Sequence, residues 1–176
     1  MTTQLTDEVR RMDIVQLIVE ALKFIFPVYC ANAVPVLTGG GLAMDFGKTL
    51  SDGRPIFGKN KTYRGFFAGL AIGTAAGLAE SYVFKYHIMF GFLLSLGALI
   101  GDLTGAFIKR RLNIPPGGLL PVVDQVDFAV GAIVFSLLLP MARSWELFVT
   151  VLAITPPIHL LTNYAAYKLK LKSNPW

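Results

Sequence analysis

The sequence predicts an all-α polytopic membrane protein in which five transmembrane helices are joined by polar loops. Three observations predict it. The chain has 176 residues, 54% of them apolar and only 15% charged, with a mean hydropathy of +0.58. That is too little polar surface for a soluble domain of this size. Apolar stretches of about 20 residues, the length that crosses a bilayer's hydrocarbon, recur along the chain. The cations are also segregated: eleven of the sixteen Lys and Arg fall in three segments that five spans place on one face.

Taken in order, the expected spans are 14–37, 65–84, 88–108, 126–142 and 147–169, the fourth being the shortest. The polar, mixed-charge N-terminus resembles no cleavable leader. Pro27, Pro35, Pro140, Pro156 and Pro157 are expected to kink or end helices. Membranes tolerate this when neighbours satisfy the freed carbonyls. The loop 38–64 carries Lys48, Arg54, Lys59, Lys61 and Arg64, and the loop 109–125 carries Lys109, Arg110 and Arg111. The C-terminal tail adds Lys168, Lys170 and Lys172, whereas Arg10, Arg11, Lys85 and Arg143 fall on the other face. The positive-inside rule then gives an outside N-terminus and a cytoplasmic C-terminus. No hydrophilic stretch is long enough to fold alone, so a single membrane-embedded domain is expected. The net charge of +5 follows topology and implies no nucleic-acid partner. Cys30 lies in an apolar run, so disulfides do not hold this fold.

Gly65, Gly69, Gly73 and Gly77 recur every four residues through the second span, as do Gly97, Gly101 and Gly105 in the third. Such ridges allow close backbone approach, and the second and third spans are expected to touch.

The ionisable residues gather at the cytoplasmic ends. Asp102 lies inside the third span. A lone carboxylate there costs about 2.5–3.5 kcal/mol and so requires a cation, a metal or water. Residues 102, 106 and 109 share a helical face, making Lys109 a candidate partner. Asp124 and Asp127 stand one turn apart at the start of the fourth span. They serve there either as acidic caps or, beside Asp102, as an oxygen-rich site suited to Mg²⁺. Lys61-Thr62-Tyr63-Arg64-Gly65 combines two cations, a hydroxyl and a helix N-terminus. That combination binds phosphate, though positive-inside bias also produces it. Gly47-Lys48-Thr49 is not a P-loop: position 42 is Leu rather than Gly, and no strand precedes it. What remains there is a Gly-rich loop expected to be mobile and to close over a ligand. Glu20 and Lys23 are expected to pair, and Glu80 lies near the outer end of its span. His159 and Asn163 suggest interhelical hydrogen bonding. Asn32 is polar glue or a cavity residue.

The run Gly101-Asp102-Leu-Thr-Gly-Ala-Phe-Ile-Lys109-Arg110-Arg111, the loop Pro115-Pro-Gly-Gly118 and the pair Asp124-Gln125-Val-Asp127 together resemble the signature of the CDP-diglyceride-type cytidylyltransferases. The Lys61–Gly65 segment resembles their second hallmark. The Asp52-Gly-Arg54…Phe57-Gly58…Lys61 run is most similar to the archaeal branch, the CDP-archaeol synthases. The resemblance covers about Asn32 to Phe128. It implies transfer of CMP from CTP to an isoprenoid glycerol-phosphate lipid, an unsaturated di-geranylgeranyl glycerol phosphate. The product is a CDP-activated ether lipid and pyrophosphate, made at the cytoplasmic face of the cell membrane. It further implies Mg²⁺, with room for a second cation, on Asp102, Asp124 and Asp127, with Lys109 also catalytic. Lys61, Thr62, Arg64, Lys109, Arg110, Asp52, Arg54, Asn32 and Gln125 are then expected around the nucleotide and its phosphates, and a homodimer is compatible. Ala106 stands where the bacterial pattern has Ser and the glycine loop is shorter, so the roles of those groups do not carry over; Arg64 stands where it has Glu, so phosphate recognition is expected to differ in detail.

Two readings from other classes compete. A small ion or solute transporter predicts acids deep in several spans and an internal repeat, and neither is evident. A structural subunit leaves the Asp, Lys and Arg loops without a purpose. The Asp52-Gly-Arg54 fragment lacks the remainder of a CDP-alcohol phosphotransferase motif.

Overall fold

The computed structural model describes residues 13–140, 144–172 and 174–175. The expected cations Arg10, Arg11 and Arg143, and the end of the fourth expected span, lie outside the described residues. Among those described, five helices follow one another: α1 (Ile14–Thr38), α2 (Tyr63–Phe84), α3 (Phe90–Arg111), α4 (Val123–Ser136) and α5 (Trp145–Lys168). Four of them, α1, α2, α3 and α5, are long and apolar enough to cross a membrane.

The fourth helix departs from expectation, with only 14 residues. At about 1.5 Å per residue it spans roughly 21 Å, short of the roughly 30 Å of hydrocarbon. Three successive i→i−3 bonds, Leu137 N–H to Val134, Leu138 N–H to Phe135 and Leu139 N–H to Ser136, carry the chain one tighter turn further. Pro140 follows, and a proline disfavours helical backbone at the residue before it. Elsewhere caps set the boundaries. Thr62 accepts from Gly65 N–H and starts α2 two residues early, and Ser144 does the same for α5 through Leu147 N–H.

The core joins α1, α3, α4 and α5 through Phe24, Ile25, Val28, Phe90, Leu94 and Phe128, with Val151 from α5. Phe24 meets the Phe90 ring edge-on, with 6.1 Å between centroids, a favoured aromatic geometry. The glycine ridges work in two directions. Gly77 of α2 sits against Gly91 of α3, so these helices touch as expected, but Gly69 and Gly73 also face Ala31 and Pro27 of α1. The α3 ridge does not serve α2. Gly97, Gly101 and Gly105 lie against Gly131, Phe135 and Asp127 of α4, because the short fourth helix must approach closely to cover that side.

At the far end of the bundle Lys23 pairs with Glu20 at 2.7 Å and lies over the Phe84 ring, with Glu80 buried nearby. His159 and Asn163 bond to each other within α5, through contacts of 3.3 Å and 3.2 Å, rather than between helices. Their i,i+4 spacing brings them together first.

Candidate active site

The loop 39–62 is folded, not a loose flap. Ala43 and Thr62 form an antiparallel bridge, with Met44 N–H bonded to the Lys61 carbonyl at 2.8 Å and Tyr63 N–H to Leu42 at 3.1 Å. At its centre is Asp45, 4% exposed, which sequence reasoning did not single out. Its carboxylate accepts from Gly47 N–H at 2.9 Å, Phe57 N–H at 3.0 Å and Gly58 N–H at 2.7 Å. Burial alone would raise its pKa, but those donors outweigh burial and hold it below the usual carboxylate range. A depressed folded-state pKa contributes stability at neutral pH that is lost as the pH falls through that value. Asp45→Asn sets an amide N–H₂ against backbone donors, and charged hydrogen bonds are worth about 1.5–3 kcal/mol each. The loop is expected to loosen: the thermal midpoint drops, and the fall on acidification expected of the native protein is blunted in the variant.

Two ion pairs define the site. Lys61, delivered by the bridge, places its ammonium 2.6 Å from both oxygens of Asp102 on α3. Lys109, also on α3, reaches Asp124 at the start of α4 at 2.9 Å and the Gly118 carbonyl at 3.1 Å. The sequence paired Lys109 with Asp102. The structure exchanges the partners, because the loop returns to the bundle with Lys61 over Asp102 while Lys109 lies two turns further, level with α4's first turn. Both pairs are partly buried, with side chains between 15% and 27% exposed. Asp124 also accepts from Leu120 N–H at 2.9 Å. Between them stands Val122 with a φ of 67°, a strained conformation for a β-branched residue. Asp127 lies against Gly105, where only a glycine leaves space for its carboxylate, and is close enough to feel the charges of Asp102, Lys61 and Asp124.

The helix end carrying Lys109 and Arg110 is closed by Asn113 in left-handed conformation, with Asn113 N–H on the Arg110 carbonyl and Ile114 N–H on that of Lys109. Arg110 is 4% exposed, beneath Gly58 and Pro116, and its Nε and Nη1 make no hydrogen bond. A buried guanidinium with orphaned donors calls for an anion.

Other expected site residues are engaged elsewhere. Arg111 bonds Asp52 at 2.7 Å and the Arg54 carbonyl at 3.1 Å, while Arg54 returns a bond to the Arg111 carbonyl. That clasp pins the loop to the end of α3. Arg64 donates from Nε to the Thr38 carbonyl at 2.7 Å and also to Gly39, closing the end of α1, and Thr62 caps α2. Gln125 sits in the first turn of α4 between the two acids.

Beside the ion pairs lies an apolar cavity of about 260 Å³ between α1 and α5. Its walls include Tyr29, Val36, Phe128 and Leu171, with Asn32, His159 and Asn163 as polar points. Phe128, in the cavity wall, directly follows Asp127 and bonds its carboxylate through N–H at 2.7 Å, so the cavity lies next to the third acid. A second space, of about 40 Å³, touches Lys61 and Asp102 directly. Sequence reasoning also passed over Lys172, which lies near Lys61, Lys109, Asp102 and Asp124. It read as one of several topogenic lysines, and nothing in the alternating 168–172 run separates it from its neighbours.

Among the described residues no three Asp, Glu, His or Cys side chains gather tightly enough to hold a metal as placed, the two lysines standing on the acids. The donor set still fits Mg²⁺ in kind, being all carboxylate oxygen. An ammonium 2.6 Å from both Asp102 oxygens marks a position that takes a cation.

Comparison with known proteins identifies the family. The family model described as CarS-like, CDP-archaeol synthase, matches residues 14–176. A CDP-archaeol synthase of Pyrococcus furiosus is 47% identical over 165 residues, covering 90% of this chain and 98% of that protein. One from Methanococcoides burtonii is 40% identical over 173 residues, covering 85% and 99%. A solved intramembrane enzyme for archaeal membrane lipid biosynthesis superposes with a TM-score of 0.76 at 38% identity, covering 83% of this chain and 94% of that one. The chain therefore belongs to the CDP-archaeol synthase family.

Proposed function

We propose that this protein transfers CMP from CTP to the phosphate of a membrane-borne isoprenoid glycerol ether lipid, giving a CDP-activated lipid and pyrophosphate. The observation that carries this reading is the meeting of two Lys–Asp pairs from separate segments at the edge of an apolar cavity, in a chain of this family. Charge for phosphates and space for hydrocarbon stand side by side, as joining a soluble nucleotide to a lipid requires.

The chemistry fits those groups. An oxygen of the lipid phosphate attacks the α-phosphorus of CTP, the bond from that phosphorus to the bridging oxygen breaks, and pyrophosphate departs with the electron pair. The nucleophile is already an anion, so little base catalysis is needed. The task is to hold mutually repelling phosphates in line and neutralise the leaving group. Lys61 and Lys109 are fixed cations, each held on its own acid. The orphaned donors of Arg110 suit the β- or γ-phosphate. Asp102, Asp124 and Asp127 are the residues that would hold Mg²⁺, which when bound supplies Lewis-acid polarisation of phosphate oxygens. An outside N-terminus and a cytoplasmic site are part of the same reading, supported by the cation distribution, with the short α4 and its tighter last turn counted as the fourth of five spans. They give CTP access from the cytoplasm and the lipid access from the bilayer.

The test is incubation of purified protein with CTP and a panel of ether and ester lipid phosphates. Pyrophosphate release that requires both CTP and an isoprenoid ether acceptor is expected. No release with any acceptor, together with ion flux in liposomes, overturns the reading in favour of transport.

A further inference from the structure

Two neighbouring residues of the loop 39–62 have opposite fates. Asp45 is its buried centre, whereas Phe46 is 59% exposed. Phe46 also has a φ of 53°, a left-handed backbone uncommon for a bulky residue. The turn that produces it is closed by Phe46 N–H on the Ala43 carbonyl at 3.0 Å and Lys48 N–H on the Asp45 carbonyl at 2.8 Å. The loop thus accepts an unfavourable backbone and leaves a phenyl ring on its outside.

That ring belongs to a ladder. Phe46 lies 5.5 Å from the Tyr63 ring, and Tyr63 stacks on Phe67 at 6.5 Å with 17° between the planes. Phe67 is 61% exposed. It stands two residues from both Gly65 and Gly69, so it faces away from the glycine ridge by which α2 packs on its neighbours. The same face continues through Ala71, Leu78 and Tyr82, all exposed. On a helix long and apolar enough to cross the membrane, the face turned from the bundle is the one that hydrocarbon covers. The 22 residues of α2 extend about 33 Å against roughly 30 Å of hydrocarbon, which sets Tyr63, its first residue, at the boundary. The ladder therefore runs from the lipid-facing side of α2, through the boundary, into the loop. Leu42, 58% exposed, adjoins the same tyrosine through its carbonyl, which accepts from Tyr63 N–H.

We propose that the loop 39–62 docks in the interface of the lipid bilayer through Phe46 and Leu42. Continuity with the lipid-facing side of α2 argues for this occupant, because the apolar surface does not stop where the helix does. Charge argues for it too. Lys48, two residues beyond Phe46, is exposed, and a long cationic side chain beside an inserted ring reaches the headgroup phosphates. The docking has a consequence for the ion pairs. Met44, two residues from both Leu42 and Phe46, bonds the Lys61 carbonyl, and Lys61 holds Asp102. A loop seated in the interface fixes that pair at the depth of the headgroups. None of this rests on the cytidylyl-transfer reading.

Single-tryptophan chains test it. With Trp145→Phe and Trp176→Phe as background, Phe46→Trp is reconstituted in vesicles whose lipids carry bromine either near the top of the acyl chain or near its end. Upper-chain bromine is expected to quench the indole at position 46 by about half or more, and chain-end bromine markedly less, as befits an interfacial aromatic. Acrylamide in the water should quench it several times less than it quenches free tryptophan. Quenching by acrylamide with no effect of bromine puts the loop in water and overturns the proposal. Shielding from both quenchers overturns it as well, since a second copy of the chain then covers the patch. Should Phe46→Trp not reconstitute, Leu42→Trp decides by the same measurements.

Discussion

Asp102→Asn is expected to reduce cytidylyl transfer by about a thousandfold, comparable to the loss of one well-placed electrostatic group in a preorganised site. The substitution keeps the shape and removes the charge. Lys61 then loses the partner that holds its ammonium 2.6 Å from both carboxylate oxygens, and the loop 39–62 loses its tie to α3 at the reacting centre. Stability should suffer less than activity. Both side chains are about a quarter exposed, so the released ammonium regains water and escapes the penalty of a fully buried orphan charge. Pyrophosphate release measures the first effect and the thermal midpoint the second. Turnover within about tenfold of native would remove Asp102 from the reaction centre. A double variant with Lys61→Met separates the roles further. If the pair acts as a unit, adding the second change costs little more than the first.

The pairing itself shows where sequence reading stops. That Asp102, Asp124, Lys61 and Lys109 form one site was legible, since each is expensive in or near a membrane and four such residues at one end of the bundle require each other. Which lysine meets which acid was not, because it depends on how the loop 39–62 returns. That path is set by Asp45, whose backbone donors come from positions two, twelve and thirteen residues away. No local pattern announces such a knot. Arg64 illustrates the opposite error. In sequence it belongs to a phosphate-like motif, yet its guanidinium is spent on the carbonyls at the end of α1. A helix C-terminus attracts cations as a phosphate does, and sequence cannot tell the two demands apart.

The helices were legible because about 20 apolar residues in a row leave the backbone few alternatives. α4 escaped that rule. Its glycine and alanine positions were visible as apolar sequence, but its length is limited by the strained Val122 entrance and by Pro140 at its far end. The short helix also explains the use of Gly97, Gly101 and Gly105. The sequence marked them as a packing ridge and assigned them to α2, whereas close approach is needed on the α4 side, where Asp127 must reach the acids.

The same ridge carries the second large expectation. Gly101→Ala and Gly105→Ala should both damage the enzyme, by different routes. A methyl at position 101 would overlap the Asp127 carbonyl and stand 3.1 Å from Phe128 Cα, all of it backbone, so α4 must move as a body. Overpacking of this kind costs about 1–3 kcal/mol, and the thermal midpoint should fall clearly. A methyl at position 105 instead meets the Asp127 carboxylate, which can rotate aside. Stability should then change little, but the carboxylate leaves its place beside Asp102, and a displacement of about 1 Å at a reacting centre can cost a hundredfold in rate. The contrast is diagnostic. If Gly105→Ala lowers the midpoint as much as Gly101→Ala and leaves turnover per folded molecule intact, Asp127 is a packing residue at the helix crossing. If turnover falls about a hundredfold while the midpoint holds, the glycine at 105 is there to admit a working carboxylate, and the third acid belongs to the chemistry.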